Sequence, residues 1–129
     1  MPSKPSPAEV TAEIARILGL YKFHYGNEVD LQFGIEKALE DAGVPFTREL
    51  TFKKVLGRID FMVHALFEVG IEVKISGANT NVGRQLARYL STDELDGIVL
   101  VTSKRRHRTF PTEFNGKPVS VVWLGHGAS

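Results

Sequence analysis

The sequence predicts an α/β fold, a central mixed β-sheet flanked by helices. Two observations carry this. Five apolar runs of strand length occur, and three segments repeat their apolar residues at the helical period. Two of those segments precede the first strand and the third separates the third strand from the fourth. The resulting order, α-α-β-β-β-α-β-β, fits a layered α/β domain better than a bundle or a sandwich. At 129 residues the chain is expected to form one domain over residues 8–129, behind a flexible tail over residues 1–7.

Each element follows from local residues. Ala8 to Leu20 places Val10, Ile14, Ile17 and Leu18 on one helix face, and Gly19 weakens its end. Tyr21 to Gly26 is an aromatic and basic connector. Asn27 then caps a second helix, with Val29, Phe33, Ile35 and Leu39 expected to face the core, that stops at Gly43 before Pro45. Strands are expected at Phe46 to Lys53, Arg58 to His64 and Glu68 to Ile75. Asn79 to Leu90, carrying Val82, Leu86 and Leu90, reads as the third helix. Gly97 to Thr102 reads as a buried strand and Val119 to Leu124 as the last one.

Composition narrows the chemistry. The chain has no cysteine, which excludes disulfide scaffolds, zinc-thiolate sites and thiol nucleophiles. No apolar run approaches the roughly 20 residues that span a bilayer, and Met1 to Pro7 lacks the apolar stretch of a secretion signal. A cytoplasmic, intracellular location and no membrane partner are therefore expected. The net charge of +1 gives no global attraction to nucleic acid, so any such binding must rest on local basic patches. The four histidines show no zinc spacing, and serine-hydrolase and Walker-type motifs are absent.

The second and third strands carry unusual charges. In the third, Val69, Ile71, Val73 and Ile75 alternate with Glu68, Gly70, Glu72 and Lys74, so one set is buried while Glu72 and Lys74 aim the same way. An antiparallel hairpin centred on Leu66 sets Asp60 opposite Glu72, with Cβ atoms about 4.5 to 5.5 Å apart. Two carboxylates at that distance can share a cation, with Asp60, Glu72 and Lys74 on one outward face. Taken singly, Asp60 reads first as a strand end or a partner of Arg58 or Lys54, and Glu72 with Lys74 as a solvated pair on an outer face; taken together they read as a metal site.

An acidic residue on a helix, Asp60 on a strand, Glu72-x-Lys74 on the next, then a helix and another strand resembles the PD-(D/E)XK nuclease superfamily, over roughly Tyr25 to Leu124. Gln85-Leu86-Ala87-Arg88-Tyr89 on the third helix is similar to the Gln-hydrophobic-x-x-Tyr motif of many exonuclease, phage and repair members. Chain size and element order also resemble Holliday-junction resolvases and small virus-type replication-repair nucleases. The departure is at Gly57-Arg58-Ile59-Asp60, where the Pro of the family's name is missing. The resemblance implies a restriction-endonuclease-like core and Mg²⁺ as cofactor, with Mn²⁺ as a substitute, held by Asp60, Glu72 and the main-chain carbonyl of Val73. Lys74 would act on the attacking water or the scissile phosphate. Glu28 is favoured as the helical acid over its competitor Glu36, and Gln85 completes the catalytic set.

Phosphate contacts are expected from Lys104, Arg105, Arg106 and Arg108, a run that follows the fourth strand and that otherwise reads as a solvated loop. Lys22, among Tyr21, Phe23 and Tyr25, is a second candidate contact, and Tyr89 a third. The expected activity is metal-dependent hydrolysis of phosphodiester bonds in nucleic acid, with DNA as substrate and endonuclease action favoured over exonuclease. The alternative is a non-cleaving nucleic-acid-binding or assembly subunit. Homodimerisation is expected through the apolar hairpin tip Ala65-Leu66-Phe67, or through the first helix.

Overall fold

A computed structural model describes residues 3–75 and 81–125. The first helix, α1 (Pro7–Gly19), begins one residue earlier than expected because Ser6 and Glu9 form a reciprocal capping box, with Pro7 at the first helical position. The tail thus ends before Ser6. Asn27 caps α2 (Glu28–Asp41) through the Asp30 N–H at 2.8 Å. Gly43, at φ 71°, ends that helix by letting the Val44 N–H reach the Leu39 carbonyl and its own N–H reach that of Glu40.

The face of α2 differs from expectation. Leu31, Ile35, Ala38 and Leu39 are buried, whereas Val29 is 63% and Phe33 59% exposed. The sequence offers two overlapping apolar stripes at helical spacing. The one that wins, at i, i+4, i+7 and i+8, is the longer and packs on the sheet.

Six strands form one mixed sheet in the order β1-β2-β3-β4-β6-β5. These are β1 (Phe46–Thr51), β2 (Arg58–His64), β3 (Glu68–Lys74), β4 (Gly97–Thr102), β5 (Glu113–Phe114) and β6 (Lys117–Trp123). The short β5 was not anticipated; it hairpins onto β6 through Asn115 and Gly116, both at positive φ. β1, β2 and β3 are antiparallel neighbours, while β3, β4 and β6 run parallel. Connecting parallel β3 to β4 requires a crossover, supplied by α3 (Val82–Leu90). Residues 79 and 80, expected at the start of that helix, lie outside the described residues.

One face of the sheet packs Phe61, Val63, Ile71, Val73 and Val101 against Leu18 of α1 and Leu31, Ile35 and Leu39 of α2. The other packs Met62, Ile98 and Leu100 against Leu86, Tyr89 and Leu90 of α3. β4 is therefore buried along its whole length, as its unbroken apolar run predicts. Parallel packing also aligns the carboxyl ends of β3, β4 and β6, with Lys74 beside Thr102 and Thr102 beside Trp123. No helix among the described residues is long and apolar enough to cross a membrane.

Candidate active site

The hairpin register is the expected one: Phe61 pairs with Ile71 and His64 with Glu68, which centres the turn on Leu66. One step beyond Phe61, Asp60 stands opposite Glu72, but regular pairing stops there. Asp60 Oδ2 instead accepts the Val73 N–H at 2.8 Å, so a carboxylate takes the place of a main-chain acceptor. The other side of Asp60 is interrupted as well. The β1–β2 ladder pairs Arg48 with Phe61 and Leu50 with Ile59, and between them Glu49 takes φ 53°. A non-glycine residue in that region is strained, and such strain gathers at functional sites.

Glu72 departs most from a surface residue. The expected outward face is a buried one: with β3 central and both sheet faces covered, Glu72 is only 3% exposed. Its Oε2 lies 3.4 Å from Lys74 Nζ, while Oε1 is buried without a hydrogen-bond partner. A buried, unpartnered carboxylate oxygen is costly unless a proton or cation neutralises it. Burial, and then the nearby Asp60 charge, push the Glu72 carboxyl up to about 8 even though Lys74 draws it down. Burial also raises Asp60, against the lowering effect of the Val73 N–H and the Lys74 charge.

The two helical acids separate clearly. Glu28, at the start of α2, reaches the end of β3, where its Oε2 accepts the Ile75 N–H at 3.4 Å, and its charge acts on Asp60. Glu36 is engaged elsewhere, 2.5 Å from Arg48, whose guanidinium also lies over the Phe61 ring. Asp30 turns back to the Gly26 N–H. The structure thus brings Glu28, Asp60, Glu72 and Lys74 together and leaves Glu36 outside.

Gln85 and Tyr89 are joined, with Gln85 Nε2 donating to the Tyr89 hydroxyl at 2.9 Å. Tyr89 corrects an expectation: at 1% exposure its ring is a core residue that anchors Gln85, not a surface for nucleic acid. Its ring packs against Phe52 and over Gly57, where a Cβ would stand 2.5 Å from it. Gly57 also holds φ 134°. The glycine that opens the Gly57-Arg58-Ile59-Asp60 segment is therefore required by the tyrosine of α3. Gly57→Ala should cost about 2 to 3 kcal/mol through overpacking and backbone strain, read as a lowered urea midpoint. An unchanged midpoint would separate the two segments.

The basic run is more ordered than a solvated loop. Arg105–Thr109 forms a 3-10 turn pinned by His107, which is buried and whose Nδ1 lies 2.8 Å from the Thr102 Oγ1. Burial, then the Arg106 and Lys104 charges, lower the His107 pKa. Arg105 and Arg106 project into solvent, Lys104 is half-buried, and Arg108 lies 4.4 Å over the Trp123 ring. Lys22 lines a cavity of about 370 Å³ with Trp123 at the carboxyl end of β6, whereas no residue of the basic turn lines it. Phe23, by contrast, is a core residue of the α1–α2 face. Ser103 ties the run to the acidic centre, its N–H donating to the Lys74 carbonyl and its hydroxyl to that of Ile75.

Sequence reasoning missed Arg84 and Arg88. With Lys74, Asn81 and Gln85 they line a cleft of about 460 Å³ between β3 and α3. Their spacing of four, which puts both on one helix face beside Gln85, is the signal that was available.

No protein-family model matches the chain, and neither the curated proteins nor the solved structures compared with it give a significant match.

Proposed function

We propose that the chain is a Mg²⁺-dependent nuclease that hydrolyses phosphodiester bonds in nucleic acid, with DNA as the expected substrate, on a restriction-endonuclease-like core. The observation that carries this reading is the buried Oε1 of Glu72, unpartnered in a central strand beside Asp60 and Lys74. Among the described residues no group of three or more His, Asp or Glu forms a ready-made metal cage. The donor set nonetheless fits Mg²⁺, a hard cation bound through one or two carboxylates that keeps waters and substrate oxygens in its other positions.

Asp60 and Glu72 would hold the ion, with the Val73 carbonyl as a further ligand. When bound, it supplies Lewis-acid polarisation of the phosphate and a water of lowered pKa. The rest falls to the chain's own side chains. The Val73 N–H fixes Asp60 in one rotamer before substrate arrives, so no reorganisation is needed at the reaction. Lys74, only partly exposed, places a positive charge at the mouth of the site, where it stabilises charge developing on the phosphate oxygens. Glu28 at the strand end acts on Asp60 through its charge, and Tyr89 holds the Gln85 side chain that lines the cleft beside Lys74.

The test is incubation of purified protein with end-labelled single-stranded, duplex, flap, four-way-junction and RNA substrates in Mg²⁺, Mn²⁺ or EDTA. Metal-dependent products are expected, and their sizes distinguish internal from terminal attack. Binding without products in every metal would favour the non-cleaving alternative. The basic turn has its own test: Arg105, Arg106 and Arg108 changed together to Ala should weaken duplex binding. Each lost phosphate contact should reduce the log-log salt slope by about 0.9. An unchanged slope would return the turn to solvent.

A further inference from the structure

We infer that the cleft between β3 and α3 is an anion site in which Arg84 and Arg88 hold a backbone phosphate of the nucleic acid next to the one that is cut. The placement next to a scissile phosphate rests on the nuclease reading, whereas the geometry of the cleft is independent of it. Arg84 and Arg88 are exposed and one turn apart, a rise of about 6 Å, so both guanidinium forks reach the same concavity. That concavity opens beside Lys74, the cation of the acidic centre.

Charge balance points to an anion. Neither arginine forms an ion pair with a carboxylate among the described residues, whereas the cations Arg16, Arg58 and Lys54 pair with Glu13, Glu49 and Asp93. Residues 76–80, which precede the helix, contain no acidic side chain. The Arg88 guanidinium carbon also lies 5.6 Å from the centre of the Tyr89 ring. Two guanidinium groups and an ammonium around one cleft without a carboxylate to neutralise the arginines repel each other. A phosphate relieves that repulsion and accepts the bidentate geometry that guanidinium offers.

A nucleic-acid phosphate is favoured because the cleft is lined by polar and charged side chains that stop at Lys74, beside Asp60 and Glu72. A strand whose scissile phosphate is at Lys74 places its neighbouring phosphate within reach of α3. Arg84 and Arg88 act as positioning residues, and Lys74 alone among the three touches the reacting group.

The experiment is anisotropy titration of a short labelled single-stranded DNA in EDTA, over a range of salt, with wild-type protein and the double variant Arg84→Gln, Arg88→Gln. Wild type should bind, and the double variant should bind at least about tenfold more weakly, with a salt slope smaller by about 0.7 for each lost contact. Arg84→Lys with Arg88→Lys retains the charges and should restore most of the slope. No binding by wild type, or the same slope in the Gln variant, overturns the site. Competition by phosphatidylglycerol vesicles as strong as by unlabelled DNA would assign the cleft to a lipid headgroup and overturn it too. Failure of the two readings is separable. Loss of binding in the Gln variant of a chain that never cuts leaves the anion site standing, whereas normal cutting with unchanged KM in that variant leaves only the nuclease.

Discussion

Lys74→Met should bind Mg²⁺ and nucleic acid yet cut at least about a hundredfold more slowly, the size of loss that follows removal of one preorganised charge-stabilising group. The substitution keeps the length of the side chain and both carboxylates. It deletes only the ammonium 3.4 Å from Glu72 Oε2. Mg²⁺ affinity should hold or rise slightly, because a cation competing for Glu72 has been removed. Single-turnover cleavage at saturating Mg²⁺, with metal binding measured separately by calorimetry, distinguishes this from a folding defect. Near wild-type turnover would make Lys74 an ordinary strand-end residue and remove the chemistry from this strand.

Glu72→Gln should abolish cleavage and, without metal, make the chain more stable at alkaline pH. The sign follows from the shift. A carboxyl raised from 4.5 to about 8 on folding binds a proton more tightly in the native state than in the unfolded one. That stabilisation is complete below about pH 4.5 and is lost as pH rises toward about 8. Glutamine does not titrate, so the melting temperatures of variant and wild type should diverge across that window. In EDTA the variant should melt roughly 5 °C or more above wild type at the upper end. Adding Mg²⁺ should raise the wild-type value and leave the variant nearly unmoved. Parallel melting curves at both ends of the window would show that burial of Glu72 costs nothing.

Much of this arrangement is legible in the residues. The strand spans Arg58–His64, Glu68–Lys74 and Gly97–Thr102 follow from apolar runs bounded by polar residues, and the centre at Leu66 fixes which residues of the hairpin can face each other. That is why Asp60, Glu72 and Lys74 could be grouped before any fold was in view. Other features depend on tertiary context that local pattern does not carry. Glu72 looks like the solvent half of an alternating strand but stands in register beside Leu100, a residue of the buried cluster that packs against α3. The left-handed Glu49 has no sequence signal, since its conformation answers the interruption at Asp60 on the neighbouring strand. The choice between Val29 with Phe33 and Leu31 with Ile35 on α2 is settled by what the helix packs against, not by its own periodicity. His107, hidden within Lys104 to Arg108, reverses the reading of that run: a buried imidazole bonded to Thr102 anchors the arginines that a charge count treats as loop.

The proposed cation-dependent hydrolytic centre of Asp60 and Glu72 stands or falls on product-resolved cleavage of end-labelled DNA by wild type and by Asp60→Asn, each in Mg²⁺ and in EDTA. Asparagine retains an oxygen to accept the Val73 N–H at the position where Asp60 now does, so the strand junction is preserved while the charge is removed. Cleavage by wild type in Mg²⁺ alone is expected, and none by Asp60→Asn in either condition, with similar melting temperatures. Cleavage that survives EDTA, cleavage undiminished in Asp60→Asn, or no cleavage by wild type in Mg²⁺ would contradict it.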